Sequence, residues 1–248
     1  MTSYQFLKKG NRHIRTGEVC QDHTKHMVLS NGDVAFALSD GAGSATYAKD
    51  GAICNVEGAL EFLQEQGQEK LFDMEDAEIR EHLLESCRQR IQAVAEELGC
   101  SDLRQFSATL LCGIISETGY VCMHIGDGAI YGSTKEQVFF NSEPENGARS
   151  NITFFTVSHD AEAHLRIDKN KDVPDEKLMY VATTDGFYAT LENRGYGNPE
   201  ESVLEMAGVV LKELIHDNND LLELALEMSE LEEEKTDDWS MIVITNVL

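Results

Sequence analysis

Four times along this chain an apolar, β-branched run meets an aspartate beside a glycine or a second acid, and that recurrence constrains the architecture more than any bulk property. The runs are AFALSDGAG at Asp40, CMHIGDGAI at Asp127, MYVATTDGF at Asp185 and KTDDWSMIVI at Asp237 and Asp238. A strand delivers a side chain rigidly, and a following glycine lets the backbone turn and brings its carbonyl close to whatever the carboxylate binds. One Asp-Gly pair alone signals only a turn, because both residues suit turns for backbone reasons. Four at the ends of strand-like runs call for a fold whose strand ends converge on an oxygen-rich pocket. Carboxylates gathered in this way repel one another at low dielectric and are tolerated when cations neutralise them. Hard divalent ions, Mg²⁺ or Mn²⁺, match all-oxygen ligands best.

The remaining pattern supplies a frame for such a pocket. Strand candidates are Val34 to Ser39, Ala108 to Ile115, Tyr120 to Ile125, Ile152 to Val157, Leu178 to Thr183 and Met241 to Val247, each rich in β-branched and apolar residues. Between the first two lie two stretches of helical period, Ala45 to Gln66 and Glu75 to Leu98. In the second, Ile79, Leu83, Cys87, Ile91, Val94 and Leu98 make a buried stripe with Glu and Arg outside. Further helices are predicted over Glu200 to His216 and Asp220 to Leu231, and Asn141 to Asn151 reads as a loop insertion. Helices and strands are segregated rather than alternating as βαβ units would, which argues for an α+β domain with sheets in the middle and helices outside. The length of 248 residues, with three prolines and no linker-like tract, fits one domain over residues 1–248.

Charge narrows the partners. Twenty Lys and Arg stand against 45 Asp and Glu, a formal −25, which repels nucleic acid and anionic membrane surfaces. Six cysteines, Cys20, Cys54, Cys87, Cys100, Cys112 and Cys122, have no CxxC spacing and several sit in apolar runs, so they read as reduced and structural. No apolar stretch approaches the roughly 18 residues of a membrane span, and the N-terminus lacks the apolar core of a signal peptide. The expectation is a soluble, cytoplasmic protein.

Taken in order, these motifs resemble the metal-dependent protein phosphatases of the 2C type from Gly10 to Val247. The opening segment GNRHIRTGEVCQDH, with His13, Gly17, Cys20, Gln21 and Asp22, is similar to that of a bacterial branch of the family. The resemblance implies a four-layer α-β-β-α sandwich, two central and mostly antiparallel sheets flanked by helix pairs. It implies that Asp40 bridges two metal ions, that Gly41 offers its backbone carbonyl to one of them, and that Asp185 and Asp237 are further ligands with Asp238 as neighbour. Asp127 would belong to a third, weaker site, and Asp22 would orient water from an outer position. The implied activity is hydrolysis of phosphoserine and phosphothreonine by a water made nucleophilic by two Mg²⁺ or Mn²⁺ ions. The implied partner is a phosphoprotein substrate of a serine/threonine kinase.

The chain departs from eukaryotic members in carrying Gln21 where they have glutamate and Gly17 where they have a phosphate-binding arginine. Arg12 and Arg15 are candidates to replace that grip, since guanidinium groups bind phosphate in a bidentate fork. His13 would contact phosphate or act as acid to the leaving alkoxide. His124, in an apolar run, reads as structural. His159 and His164 lie where the family carries a variable flap and are assigned no role. Two other readings stay open: a phosphatase-like binding module that has lost turnover, and a hydrolase of small phosphoesters.

Overall fold

The computed structural model describes residues 1–146, 153–174, 176–192, 198–213 and 237–246. Among these the strands are Thr2–Lys8 (β1), His23–Val28 (β2), Val34–Ser39 (β3), Leu110–Ile115 (β4), Tyr120–Ile125 (β5), Ala129–Ser133 (β6), Val138–Ser142 (β7), Arg166–Asn170 (β8), Met179–Thr183 (β9) and Trp239–Thr245 (β10). The helices are Asn11–Thr16 (α1), Ala48–Asp73 (α2), Asp76–Glu97 (α3), Ala161–His164 (α4), Asp185–Glu192 (α5) and Pro199–Glu213 (α6).

The strands form two five-stranded sheets, in the orders β1-β10-β9-β6-β7 and β2-β3-β4-β5-β8, and all their pairings are antiparallel. Alternation along each strand decides how they stack, because successive side chains point to opposite faces. Val34, Phe36 and Leu38 of β3 join Tyr180, Ile242 and Ile244 in one cluster between the sheets. Ala35 and Ala37 face the other way, into a cluster with Leu60, Leu63, Leu83 and Leu84 of α2 and α3. On the far side, Val181, Met241 and Val243 pack with Phe187, Val203 and Met206 of α5 and α6. The result is the α-β-β-α layering that the resemblance implied. Each fully buried Leu, Ile or Phe contributes on the order of 1.5–3 kcal/mol, so the three clusters account for the stacking without help from the surface.

Several sequence expectations need correction. Ile152 to Val157 is not a strand: Thr153 makes a single bridge to Asn146, and the Thr156 N–H goes to the Ala108 carbonyl at 3.2 Å. That backbone is spent anchoring a loop, so no partner strand is available to it. The run beginning at Ala108 enters β4 only at Leu110, since Ala108 bridges Gly41 instead. Helix α2 continues past Gln66 to Asp73 through a bend at Gly67. The helix expected over Asp220 to Leu231 lies outside the described residues, as do Ile152 and Val247. Strands β1, β2, β6, β7 and β8 were not anticipated. β1, β2, β7 and β8 are sheet edges with partly exposed burial patterns, where polar residues blur the apolar signal, whereas β6 is a buried interior strand of only five residues, Ala129–Ser133, too short to stand out beside the turn before it.

Candidate active site

Antiparallel pairing brings the acidic turns to one end of the sandwich. Ser39 at the end of β3 pairs with His23 at the start of β2, and Thr183 at the end of β9 pairs with both Ala129 of β6 and Met241 of β10. Asp22, Asp40, Asp127, Asp185 and Asp237 therefore leave their strands at the same end, with the Gly126–Gly128 crossing carrying the chain from one sheet to the other. Asp40, Asp127, Asp185 and Asp237 are partly exposed, whereas Asp22 and Asp238 are each 2% exposed. The first four open toward solvent and the last two lie beneath them.

The carboxylates perturb one another. Burial pushes Asp22 up to about 7, with the Thr184 hydroxyl and Asp40 opposing the shift and the charges of Asp185 and Asp238 adding to it. Burial, then the charges of Asp22 and Asp185, raise Asp40 well above the usual carboxylate range. Asp127 is likewise lifted to about 7 by burial and then by Asp185, and Asp185 is raised by burial and then by Asp237. Each ionised form is thus disfavoured by desolvation and by its neighbours, the state that a cation reverses. Asp22 Oδ1 and Asp185 Oδ1 are buried without a hydrogen-bond partner, and oxygen atoms left so are short of a positive partner. The donor set is all oxygen, and it fits hard divalent ions.

Asp237 and Asp238 follow one another just before β10 and serve different surroundings. Asp238 Oδ1 accepts the Gly10 N–H at 2.7 Å, while Oδ2 takes the Gln21 N–H at 2.6 Å and meets His13 Nδ1 at 2.8 Å. Asp237 faces the cluster, where its charge raises Asp40, Asp127 and Asp185. A ring nitrogen of His13 and one oxygen each of Asp237 and Asp238 lie within 4.8 Å of one another. Since His13 and Asp238 are bonded to each other, that trio is a hydrogen-bonded pair beside an acid rather than three free ligands.

The glycines of the motifs have physical reasons. A Cβ at Gly186 would come 2.2 Å from the Asp238 carbonyl oxygen, so only glycine lets the Asp185 turn lie against the Asp237–Asp238 backbone. Gly17 ends α1 with φ 75°, a conformation in which an arginine side chain would be strained. The guanidinium of Arg12 lies across the turn after Asp40: a Cβ on Gly43 would be 2.9 Å from its Nη2, which also stands 3.5 Å from His13 Nε2. Arg15, on the same exposed side of α1, is not brought against the cluster by any contact among the described residues.

Other histidines are tied down. His124 Nδ1 meets Ser142 Oγ at 2.9 Å and the Arg166 Nη2 donor at 2.8 Å. Burial and then the Arg166 charge hold it well below the usual histidine range, in keeping with a structural role. His164 stacks on Phe154 and bonds Glu145.

Sequence reasoning missed the hydroxyls that hold the acids. Thr184 Oγ1 donates to Asp22 Oδ2 at 2.8 Å and accepts the Ser240 N–H at 3.0 Å. Thr109 Oγ1 accepts the Asp40 N–H at 3.0 Å, and its own N–H returns to the Asp40 carbonyl at 2.9 Å. Buried Asn55 donates to the Ala108 and Thr109 carbonyls and accepts from Thr156 Oγ1, joining the 153–165 loop to the Asp40 turn. The doubled threonine before Asp185 was the available signal.

The fold of two antiparallel sheets is shared with solved bacterial serine/threonine phosphatases. The serine/threonine phosphatase Stp1 from Staphylococcus aureus superposes with a TM-score of 0.65 at 11% identity, covering 98% of this chain and 94% of that one. The Mycobacterium tuberculosis serine/threonine phosphatase PstP/Ppp gives 0.61 at 12% identity, covering 98% and 97%. At such identities the likeness is one of fold. The protein phosphatase 2C family model matches residues 9–216, and the chain belongs to that family. A serine/threonine-protein phosphatase 3 from Escherichia coli is 28% identical over 160 residues, which span 63% of this chain and 62% of that protein.

Proposed function

We propose that this chain is a metal-dependent phosphatase that hydrolyses phosphoserine and phosphothreonine in proteins. The observation that carries the reading is the convergence of Asp40, Asp127, Asp185 and Asp237 at one end of the sandwich, each partly exposed, with carboxyl oxygens of Asp22 and Asp185 left without a partner. Family membership and the serine/threonine phosphatases among its relatives support the same assignment.

In this reading Asp40, Asp185 and Asp237, with the Gly41 carbonyl, hold two Mg²⁺ or Mn²⁺ ions, and Asp127 helps hold a third. Such ions supply Lewis acidity that makes water nucleophilic near neutral pH and offset charge building on the phosphoryl oxygens. Asp22, kept in place by the Thr184 hydroxyl, accepts a hydrogen bond from the attacking water and orients it. Arg12, lying over the turn that follows Asp40, clamps the substrate phosphate, and Arg15, further out on α1, adds positive charge for its approach. His13 gives a proton to the departing serine or threonine oxygen.

Residues 1–248 then act as one phosphatase domain in the cytoplasm, on substrates that a serine/threonine kinase has modified. Among the described residues no helix is long and apolar enough to cross a membrane. The test is hydrolysis of a phosphothreonine peptide with Mn²⁺, with chelator, and after Asp185→Asn. Turnover that needs the metal and vanishes in the variant is the expected result. A folded protein inactive with every divalent ion would overturn the proposal in favour of a binding module.

A further inference from the structure

Both carboxylate oxygens of Asp238 are engaged by the protein itself. It is 2% exposed, and its three partners, Gly10 N, His13 Nδ1 and Gln21 N, lie 217 to 228 residues away in sequence. Residues 10–21 are therefore pinned to the start of β10 through one carboxylate. With both oxygens so engaged, Asp238 has none free to share the ligand position of Asp237. An imidazole has one orientation that serves both neighbours here. With Asp238 accepting on both oxygens, Nδ1 carries a hydrogen in the neutral and in the protonated ring alike, and Nε2 is turned toward Arg12 Nη2 at 3.5 Å and Glu18 Oε2 at 3.6 Å. Arg12 leads on to Gly43 and the turn after Asp40, so Nε2, on a ring 1% exposed, lies against the guanidinium proposed to hold the phosphate.

We propose that Asp238 is a positioning residue for His13, fixing the tautomer and the ring plane so that Nε2 meets the oxygen leaving phosphorus. The inference rests on the phosphatase reading and adds an Asp-His pair to it. In the step, the P–O bond to the serine or threonine oxygen breaks as the P–O bond to water forms. His13 takes part with both ring nitrogens protonated: its Nε2 hydrogen passes to the departing oxygen and leaves a neutral ring with its hydrogen on Nδ1, the attacking water releases a proton to solvent, and solvent returns a proton to Nε2 before the next turnover. A carboxylate that accepts from Nδ1 holds the ring and stabilises its protonated form, the role such an orienting acid plays beside other proton-transferring histidines.

The leaving group provides the test, because an alkoxide needs the proton and a nitrophenoxide departs without it. Asp238→Asn, His13→Gln and the double variant are assayed at saturating Mn²⁺ on a phosphothreonine peptide and on p-nitrophenyl phosphate. Each single variant should lose at least about 100-fold in kcat on the peptide and less than about threefold on the aryl ester, within the span general acid catalysis commonly supplies. The double variant should be no slower than His13→Gln, since both act through one ring. Equal losses on both substrates, or losses that multiply, would overturn the inference. A wild-type protein that hydrolyses neither substrate would instead sink the phosphatase reading itself. As a check that needs no variant, ¹⁵N spectra of the wild-type chain should show His13 with its hydrogen on Nδ1, and a neutral ring with hydrogen on Nε2 alone refutes the pairing.

Discussion

Replacing Thr184 by valine removes one buried hydroxyl and almost no volume, which makes its cost calculable. Thr184 is 1% exposed, and its Oγ1 donates to Asp22 Oδ2 and accepts the Ser240 N–H. In the variant the Ser240 N–H loses its acceptor, and Asp22, whose Oδ1 already has no partner, loses its donor as well. A buried polar group left unpaired costs about 1–3 kcal/mol, so two should cost roughly 2–6 kcal/mol, with little cavity contribution because the shape is kept. For a chain of this size, 1 kcal/mol corresponds to about 2–4 °C in the melting midpoint. Thermal unfolding followed by circular dichroism in chelator should then show Thr184→Val lower by about 4–24 °C. Thr184→Ser keeps the hydroxyl and should stay within about 1 kcal/mol of wild type. If valine and serine variants melt together, the hydroxyl is not what supports Asp22 and the reasoning fails.

Other consequences can be measured in parallel. Gly186→Ala sets a Cβ against the Asp238 carbonyl and should cost about 2–3 kcal/mol in urea unfolding, with Mn²⁺ affinity falling by at least tenfold in calorimetry. Arg12→Ala should raise KM for a phosphopeptide by about 10- to 100-fold, the worth of a hydrogen bond to a charged group, with a smaller effect on kcat. His124 has its folded value depressed, so the unfolded chain takes up a proton below about 6.5 while the folded chain does not. Its contribution to stability is present above that value and declines, by up to about 1.4 kcal/mol per pH unit, as pH falls toward the folded value. Urea midpoints at pH 5.5 and 7.5 should differ less in His124→Gln than in wild type, and identical differences would contradict the assignment.

How much was legible in the sequence follows from what each residue depends on. The Asp-Gly turns, the stripe from Ile79 to Ile91 and the central strands β3, β4, β5, β9 and β10 are local facts: apolar runs bounded by turn residues, readable because a strand buried on both faces is apolar throughout. Leu98, expected in the same buried stripe, instead follows the end of α3 and is 47% exposed. The edge strands were opaque because their pairing comes from a neighbour, and HTKHMV or RIDKN carries no pattern of its own. The run near Ile152 to Val157 misled for the converse reason, being apolar but spent on anchoring a loop to Ala108.

The sequence alone determined the acidic turns, their order, the segregation of helices from strands and the glycine at position 17. Tertiary structure alone decided that Gly17 is left-handed and ends α1, and that Thr184 and Thr109 hold the acids from below. It also separated Asp237 from Asp238, two identical side chains adjacent in sequence. Nothing in their spacing distinguishes them, because the difference is one of facing. One looks into the cluster, and the other accepts hydrogen bonds from Gly10, His13 and Gln21, residues at the opposite end of the chain that only the closed fold brings within reach.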